Sequence, residues 1–382
     1  MFKFRSENLL QFFIIFISFA TFTLKYTLYW SFLGLFLIIV FIYLFKHKFK
    51  LKLFRTFLFI IPVYIIFLIK GIGNPAFLQD FRINFIWLFS LLIFYQFAKR
   101  NENSATLINI VFIVNVYIVI IYSLFYFKII PNFYETEKLA AYQDYRIIGP
   151  ALCPTFILPF LYAVYNRKRD KVYYINFFIG LVAVLLNGSL QYLSTFIIIY
   201  FISYIQLNNL NKILKVFGGI VILSFILFPI AKNSLSEKKL SKINELTKPL
   251  ESKTVQTRIN DFKYIYPKAA DNMNHILLGH GVGVNSVIFR ENKDYPSLSK
   301  YRTFLEIDNG FFYIFHRFGV VGLFIVILLH VNVLFKKINI KTKLIFIIFF
   351  LISNLLSYHY WGNVSAPFFI AIIIDRLKKS NF

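Results

Sequence analysis

The feature that most constrains this chain is a succession of long apolar runs, separated by short polar breaks, over most of its 382 residues. A helix needs roughly 20 mostly apolar residues to cross a bilayer, within a range of about 17–25. Twelve runs approach that length. We therefore expect an all-α polytopic integral membrane protein with about twelve transmembrane helices, in a range of 10–12. The expected spans are 9–24, 28–45, 56–70, 83–98, 106–127, 148–165, 172–187, 190–205, 216–231, 309–330, 343–357 and 364–375.

The overall composition excludes two other classes of protein. Hydrophobic residues make up 58% of the chain and charged residues 15%, whereas soluble domains average roughly 45–50% apolar and about 25% charged. Intrinsic disorder requires low hydrophobicity and is excluded by the same figures. Cys153 is the single cysteine, so neither an intrachain disulfide nor a cysteine metal cluster is expected.

The net charge of +25 is explained by membrane topology. Of the 42 Lys and Arg residues, 22 lie in short breaks at every second boundary of the twelve-helix arrangement. Cytoplasmic loops carry such an excess of basic residues. We therefore expect both termini in the cytoplasm, and we expect no nucleic-acid partner.

The chain divides into three parts, because one polar segment is far longer than the rest. Transmembrane helices occupy 1–231, a large extracytoplasmic loop with short helices occupies 232–308, and further transmembrane helices occupy 309–382. The loop carries 13 Lys or Arg and 9 Asp or Glu residues. A loop this long in a compact protein usually folds or binds a ligand, so function is expected there.

Within this loop, residues 254–266 show helical spacing of their apolar side chains. Thr254 is the expected N-cap and Pro267 the expected end of the helix. An amphipathic helix of this kind suits a membrane surface. Arg258 flanks the apolar stripe, which consists of Val255, Ile259, Phe262 and Tyr266.

Three glycines follow at alternate positions, Gly279, Gly281 and Gly283. Glycine lets a backbone approach a ligand or another segment closely. The spacing fits neither the P-loop nor the dinucleotide fingerprint, so we expect a packing turn.

Metal binding has little support in the sequence. His275 and His280 are the closest pair among six scattered histidines. They lack a carboxylate at the spacing of a known metal motif, and no D-x-D occurs, so a structural role is expected for both. We expect no metal and no cofactor.

Four arginines, in contrast, lie on or near the outer face of the expected topology: Arg146, Arg258, Arg302 and Arg317. Guanidinium groups suit phosphate and diphosphate oxygens, although a single such arginine is more often a surface charge. Together they suggest a lipid diphosphate, whose tail would lie among the Phe-rich helices. Arg317 and His316 are the ionisable residues well inside a span, too few to favour an ion-coupled transporter.

Three stretches around the loop resemble one known family. The first is Arg146–Pro154, the second is Arg258 followed by Leu277–Gly283, and the third is Asp308–Tyr313 with Phe318–Gly322. Their order and spacing are similar to those of the O-antigen polymerase and O-antigen ligase superfamily, over about residues 146–322.

Two departures favour the polymerase branch of that superfamily. The ligase branch typically has histidine where this chain has Asp308. The stretch Asn187–Leu190 resembles a turn of the superfamily that often carries an arginine after its serine, where this chain has Leu190. The resemblance implies a metal-independent glycosyltransferase in the bacterial cytoplasmic membrane. Its substrate would be an oligosaccharide on undecaprenyl diphosphate, used to build O-antigen, capsule or exopolysaccharide. A chain-length regulator, a flippase and membrane lipid are its implied partners.

The same resemblance implies the site. Asp308, Arg258 and Arg146 are its expected catalytic residues, with Asp308 as the base. The expected substrate-binding residues are Arg302, Arg317, Asn309, His280, Gly281, Gly283 and Tyr313. Helix capping is the alternative role for Asp308 and Asn309.

Two other functions stay open from the sequence. One is a ligase of the same fold, and the other is a polysaccharide flippase or transporter without enzymatic activity. Loss of a polymerase leaves single repeat units attached to their acceptor, whereas loss of a ligase or flippase leaves none.

Overall fold

A computed structural model describes seven elements and the segments between some of them. The described residues are 51–85, 87–88, 253–290, 300–304, 307, 309–334, 340–356 and 361, with isolated positions between 38 and 202. Only the backbone is described for 51–60 and for a few positions in other elements. The elements are α1 (Leu51–Gly71), α2 (Lys253–Ala269), α3 (Met273–Leu278), β1 (Ser286–Arg290), β2 (Lys300–Phe304), α4 (Gly310–Leu334) and α5 (Ile340–Leu356).

Three of these helices are strongly apolar and coincide with expected spans. Within the described part of the chain, one stretch is long and apolar enough to cross a membrane, Gly310–Val331 in α4. The stretches Ile61–Gly71 in α1 and Lys343–Leu355 in α5 are apolar but shorter. The expected spans 9–24, 28–45, 83–98, 106–127, 148–165, 172–187, 190–205, 216–231 and 364–375 lie wholly or largely outside the described residues.

The loop segment folds around a small apolar core. Ile265 and Ala269 of α2 pack with Ile288 of β1 and with Ile307, and all four are buried. Strands β1 and β2 form an antiparallel pair in which Ser286 is opposite Phe304 and Arg290 is opposite Lys300. Side chains alternate along β1, as strand geometry requires.

This hairpin is a departure from the all-α expectation. Its two strands, SVIFR and KYRTF, are rich in the β-branched and aromatic residues that favour strands. Each strand has only five residues, and in the sequence they are hidden between helical patterns.

The helix expected at 254–266 is present, but its ends differ from the prediction. It begins at Lys253, so Thr254 lies inside the first turn and is not the cap. It continues through Pro267 to Ala269. A proline removes one backbone donor and disturbs the turn before it, and near a helix end that cost is small enough for the helix to run on.

Several helix ends meet beside the loop. The Nδ2 of Asn309, just before α4, donates to the carbonyl of Leu355 near the end of α5 at 3.1 Å. The indole of Trp361 donates to Asn354 Oδ1 at 2.7 Å. The end of α1 lies against Val282, where an added Cβ on Gly71 would contact the Val282 backbone. The loop between α3 and β1 therefore packs where α1 ends, close to the start of α4.

Candidate functional site

The three alternating glycines form a packing turn, as predicted. We call residues 279–285 the glycine loop. Gly279, Gly281 and Gly283 all have positive φ, between 64° and 85°. An added Cβ would contact the backbone of Arg317 at the first, of Gly71 at the second and of Phe77 at the third. Only glycine allows both the left-handed conformation and this close approach.

The glycine loop pairs with a break in helix α4. Gly319 has φ 63° and ψ −162°, which interrupts the helix. Two carbonyls just before the break accept hydrogen bonds from the loop: His280 N donates to His316 O at 3.0 Å, and Gly281 N donates to Arg317 O at 2.9 Å. A broken helix in an apolar setting needs such replacement partners, so loop and break stabilise each other.

Asp80 lies at the centre of a buried polar network below the loop. Its Oδ2 accepts from Arg317 Nε and, at 2.8 Å, from the backbone N–H of Gly283. Its Oδ1 accepts from the hydroxyl of Tyr313. Asp80 and Arg317 are fully buried. The guanidinium carbon of Arg317 also lies 3.8 Å from the ring centroid of Tyr313.

This network gives Arg317 and Tyr313 a role different from the expected one. Both were predicted to bind substrate, yet both are buried and contact Asp80. A buried carboxylate paired with arginine and hydrogen-bonded by further donors is stabilised where it is. Through Asp80, Arg317 and Tyr313 of α4 are linked to the Gly283 amide of the glycine loop. These contacts hold the glycine loop, α4 and segment 77–85 together.

A second polar cluster lies at the surface, where α3 begins. Asp271 Oδ1 is 2.5 Å from His275 Nδ1, and the ring of His275 stacks on His280 with centroids 3.8 Å apart. His280 Nε2 is 2.8 Å from the carbonyl oxygen of Lys268. The sequence shows no carboxylate at the spacing of a known metal motif, but the structure brings Asp271, four residues before His275, into contact with that histidine.

The surroundings shift two pKa values in this cluster. The hydrogen bond with His275 lowers the pKa of Asp271 below its usual value. Burial lowers the pKa of His280, and the hydrogen bond to the Lys268 carbonyl partly opposes this effect. Near neutral pH, Asp271 is therefore an anion and His280 a neutral imidazole.

Helix α2 presents two different faces. Its buried face contains Asp261, Ile265 and Ala269. The predicted apolar stripe lies on the other side, where Ile259, Phe262 and Tyr266 are each about half exposed. The half-buried Arg258 also lies on this helix.

Asn309 is the N-cap of α4. Its Oδ1 accepts a hydrogen bond from Phe312 N at 2.9 Å, which satisfies one of the orphan donors at the start of the helix. This is the capping role considered from the sequence. Asp308 and Arg146 lie outside the described residues, as does the side chain of Arg302.

Sequence reasoning missed two functional candidates, Asp80 and Asp271. A signal existed for each. A charged residue inside an apolar span, such as Arg317, requires a buried partner of opposite charge, and Asp80 lies in the second outward break, 71–82. Asp271 and His275 have the i, i+4 spacing that brings side chains together on a helix.

No protein-family model and no curated protein matches this chain.

Proposed function

We propose that this protein is a polysaccharide polymerase of the bacterial cytoplasmic membrane. It uses oligosaccharide repeat units linked to undecaprenyl diphosphate and joins them into O-antigen, capsule or exopolysaccharide on the outer face. The proposal rests on the sequence resemblance, and the packing of the residues that carry this resemblance supports it. Three motifs that are separate in the sequence pack together in the structure: the arginine helix α2, the glycine loop and the kinked start of α4.

Two further observations support the proposal. The glycine loop contacts the end of α1 and segment 77–85, and all three lie on the outer side in the topology expected from the basic breaks. The half-exposed apolar stripe of α2, which continues into Phe312 through a ring contact of 4.7 Å with Phe262, suits a helix lying at a bilayer surface.

The proposed reaction is a glycosyl transfer. A hydroxyl oxygen at the non-reducing end of the acceptor attacks the anomeric carbon of the donor sugar. The bond from that carbon to the diphosphate oxygen breaks, undecaprenyl diphosphate leaves, and the hydroxyl proton passes to a base. Asp308 is the proposed base, and Arg258 with Arg146 is proposed to stabilise the charge on the leaving diphosphate. Because Asn309 fills the N-cap of α4, the carboxylate of Asp308 is not needed as that cap.

Arg258 is the residue that tests this proposal most directly. Arg258→Ala and Arg258→Lys are both expected to reduce the polymer at least about tenfold, since lysine keeps the charge but loses the bidentate fork. The measurement is the glycan ladder on a gel, with the abundance of the protein in the membrane measured in parallel. Lys263→Ala is the matched control, because Lys263 is an exposed cation on the same helix.

The pattern of the ladder separates the alternatives. A polymerase defect leaves single repeat units on the acceptor. A ligase or flippase defect leaves no glycan on the acceptor. A normal ladder in Arg258→Ala, with normal protein abundance, would remove Arg258 from the site.

A further inference from the structure

Asp271, His275 and His280 converge as a set of potential metal ligands. Each offers one ligand atom, and these atoms all lie within 4.8 Å of one another. A tetrahedral zinc ion with bonds of about 2.0–2.1 Å holds its ligand atoms roughly 3.3 Å apart. Side-chain rotations can close the difference between these two distances. Asp271 has room for such a rotation, because nearly half of its side chain is exposed.

Two neighbouring groups compete for the His275 ring nitrogen that faces the carboxylate. Asn272 caps α3 by accepting from His275 N through its Oδ1 at 2.9 Å, and this fixes the orientation of its amide. The Nδ2 of the same amide is then a donor 2.8 Å from His275 Nδ1. Asp271 Oδ1 lies 2.5 Å from the same nitrogen. The amide and the carboxylate therefore compete for it, because an unprotonated nitrogen accepts from Asn272 and a protonated nitrogen donates to Asp271. A cation bound to both groups would take the place of that proton, with the two ligand atoms moved apart to roughly 3.3 Å.

His280 has the arrangement of an oriented metal ligand. When its Nε2–H donates to the carbonyl of Lys268 at 2.8 Å, the neutral ring carries its lone pair on Nδ1. Histidines that bind metals almost always have such an outer partner for the second nitrogen.

We propose that Asp271, His275 and His280 form a binding site for a divalent transition-metal ion. Two imidazoles and one carboxylate suit Zn²⁺ better than Ca²⁺ or Mg²⁺, which prefer oxygen ligands alone. Three protein ligands leave a fourth position open for water or another ligand. The site departs from the expectation of no metal and does not rest on the proposed glycosyl transfer.

The location of the site gives the ion a mechanical consequence. Asp271 follows the end of α2, His275 lies in α3, and His280 is part of the glycine loop between Gly279 and Gly281. An ion bound to all three ties the end of α2 to the loop that fills the break in α4. Binding is therefore expected to slow hydrogen exchange at the Gly281 amide, which donates to Arg317 O.

The test uses the full-length chain in detergent micelles, purified through a tag that contains no histidine. Zn²⁺ binding is measured by calorimetry, and Co²⁺ is added separately as a spectroscopic probe of coordination. We expect one Zn²⁺ per chain. Asp271→Asn, His275→Ala and His280→Ala are each expected to raise the Kd at least about tenfold, the lower limit for disturbing even the outer partners of a metal site. His47→Ala, which removes a histidine far away in the sequence, is the control and leaves the Kd unchanged.

Misfolding is separated from ligand loss by measuring thermal unfolding of every variant in chelator. Asp271→Asn preserves the shape of the side chain, so it is expected to melt with the wild type in chelator and to differ from it only in Zn²⁺. The proposal is overturned if the wild type binds no Zn²⁺ at one per chain. It is also overturned if the His275→Ala/His280→Ala double variant binds Zn²⁺ as the wild type does.

Discussion

Asp80→Asn is expected to destabilise the packing of the glycine loop severely. Asp80 accepts hydrogen bonds from Arg317, Tyr313 and the Gly283 amide. The side chains of Asp80 and Arg317 are both fully buried. Asparagine keeps the size of the side chain but turns one acceptor into a donor and removes the negative charge. A lost hydrogen bond alone costs about 1 kcal/mol. Leaving the arginine buried without its counter-charge costs about 3–5 kcal/mol, so the charge term dominates the expected loss.

The assay is denaturant-induced unfolding of the full-length protein in micelles, followed by tryptophan fluorescence. Trp87 and Trp361 report on the correct region, because their rings lie 4.9 Å apart and both are buried. Hydrogen exchange at Gly283, whose amide donates to Asp80, gives a local measurement. A local loss of about 3 kcal/mol corresponds to exchange roughly 100-fold faster. Lys263→Gln removes an exposed charge and is expected to change stability by less than about 0.5 kcal/mol.

A double-mutant cycle separates charge from shape. Asp80→Asn combined with Arg317→Gln removes both charges, and it is expected to recover about 2–3 kcal/mol relative to the sum of the single variants. A cost below about 1 kcal/mol for Asp80→Asn would refute this reasoning. A double variant that shows no recovery would also refute it, because the pair would then contribute through packing alone.

Two further variants test the loop and the start of α4. Gly281→Ala is expected to cost about 1–3 kcal/mol more than Gly73→Ala in the same unfolding assay: both glycines have positive φ, but an added Cβ meets backbone atoms only at Gly281. Equal costs would show that the loop can move away from α1. Asn309→Ala is expected to cost about 1 kcal/mol by loss of the N-cap, and Asn309→Asp less, because it keeps the acceptor for Phe312 N. Equal losses of stability in these two variants would indicate that Asn309 stabilises the protein mainly through the hydrogen bond that it donates to the Leu355 carbonyl.

Much of the local structure was predictable from residue types and spacing. The helical spacing at 254–266 predicted most of α2, and the alternating glycines predicted a packing turn. These features depend on near neighbours in the chain, where period and backbone freedom decide the conformation. The ends of α2 and the hairpin were missed, because a proline near a helix end costs little and because strands of five residues leave a weak pattern.

The candidate site depends instead on contacts that no local pattern contains. Arg317 is separated from Asp80 by 237 positions, and only the packing of α4 against segment 77–85 brings them together. The sequence indicated that an arginine inside an apolar run needs a special explanation, and it marked the glycines as places of close approach. It did not indicate that these two features belong to one network. The physical reason is burial: a charge removed from water requires a counter-charge within reach, and only the tertiary packing brings Asp80 to Arg317.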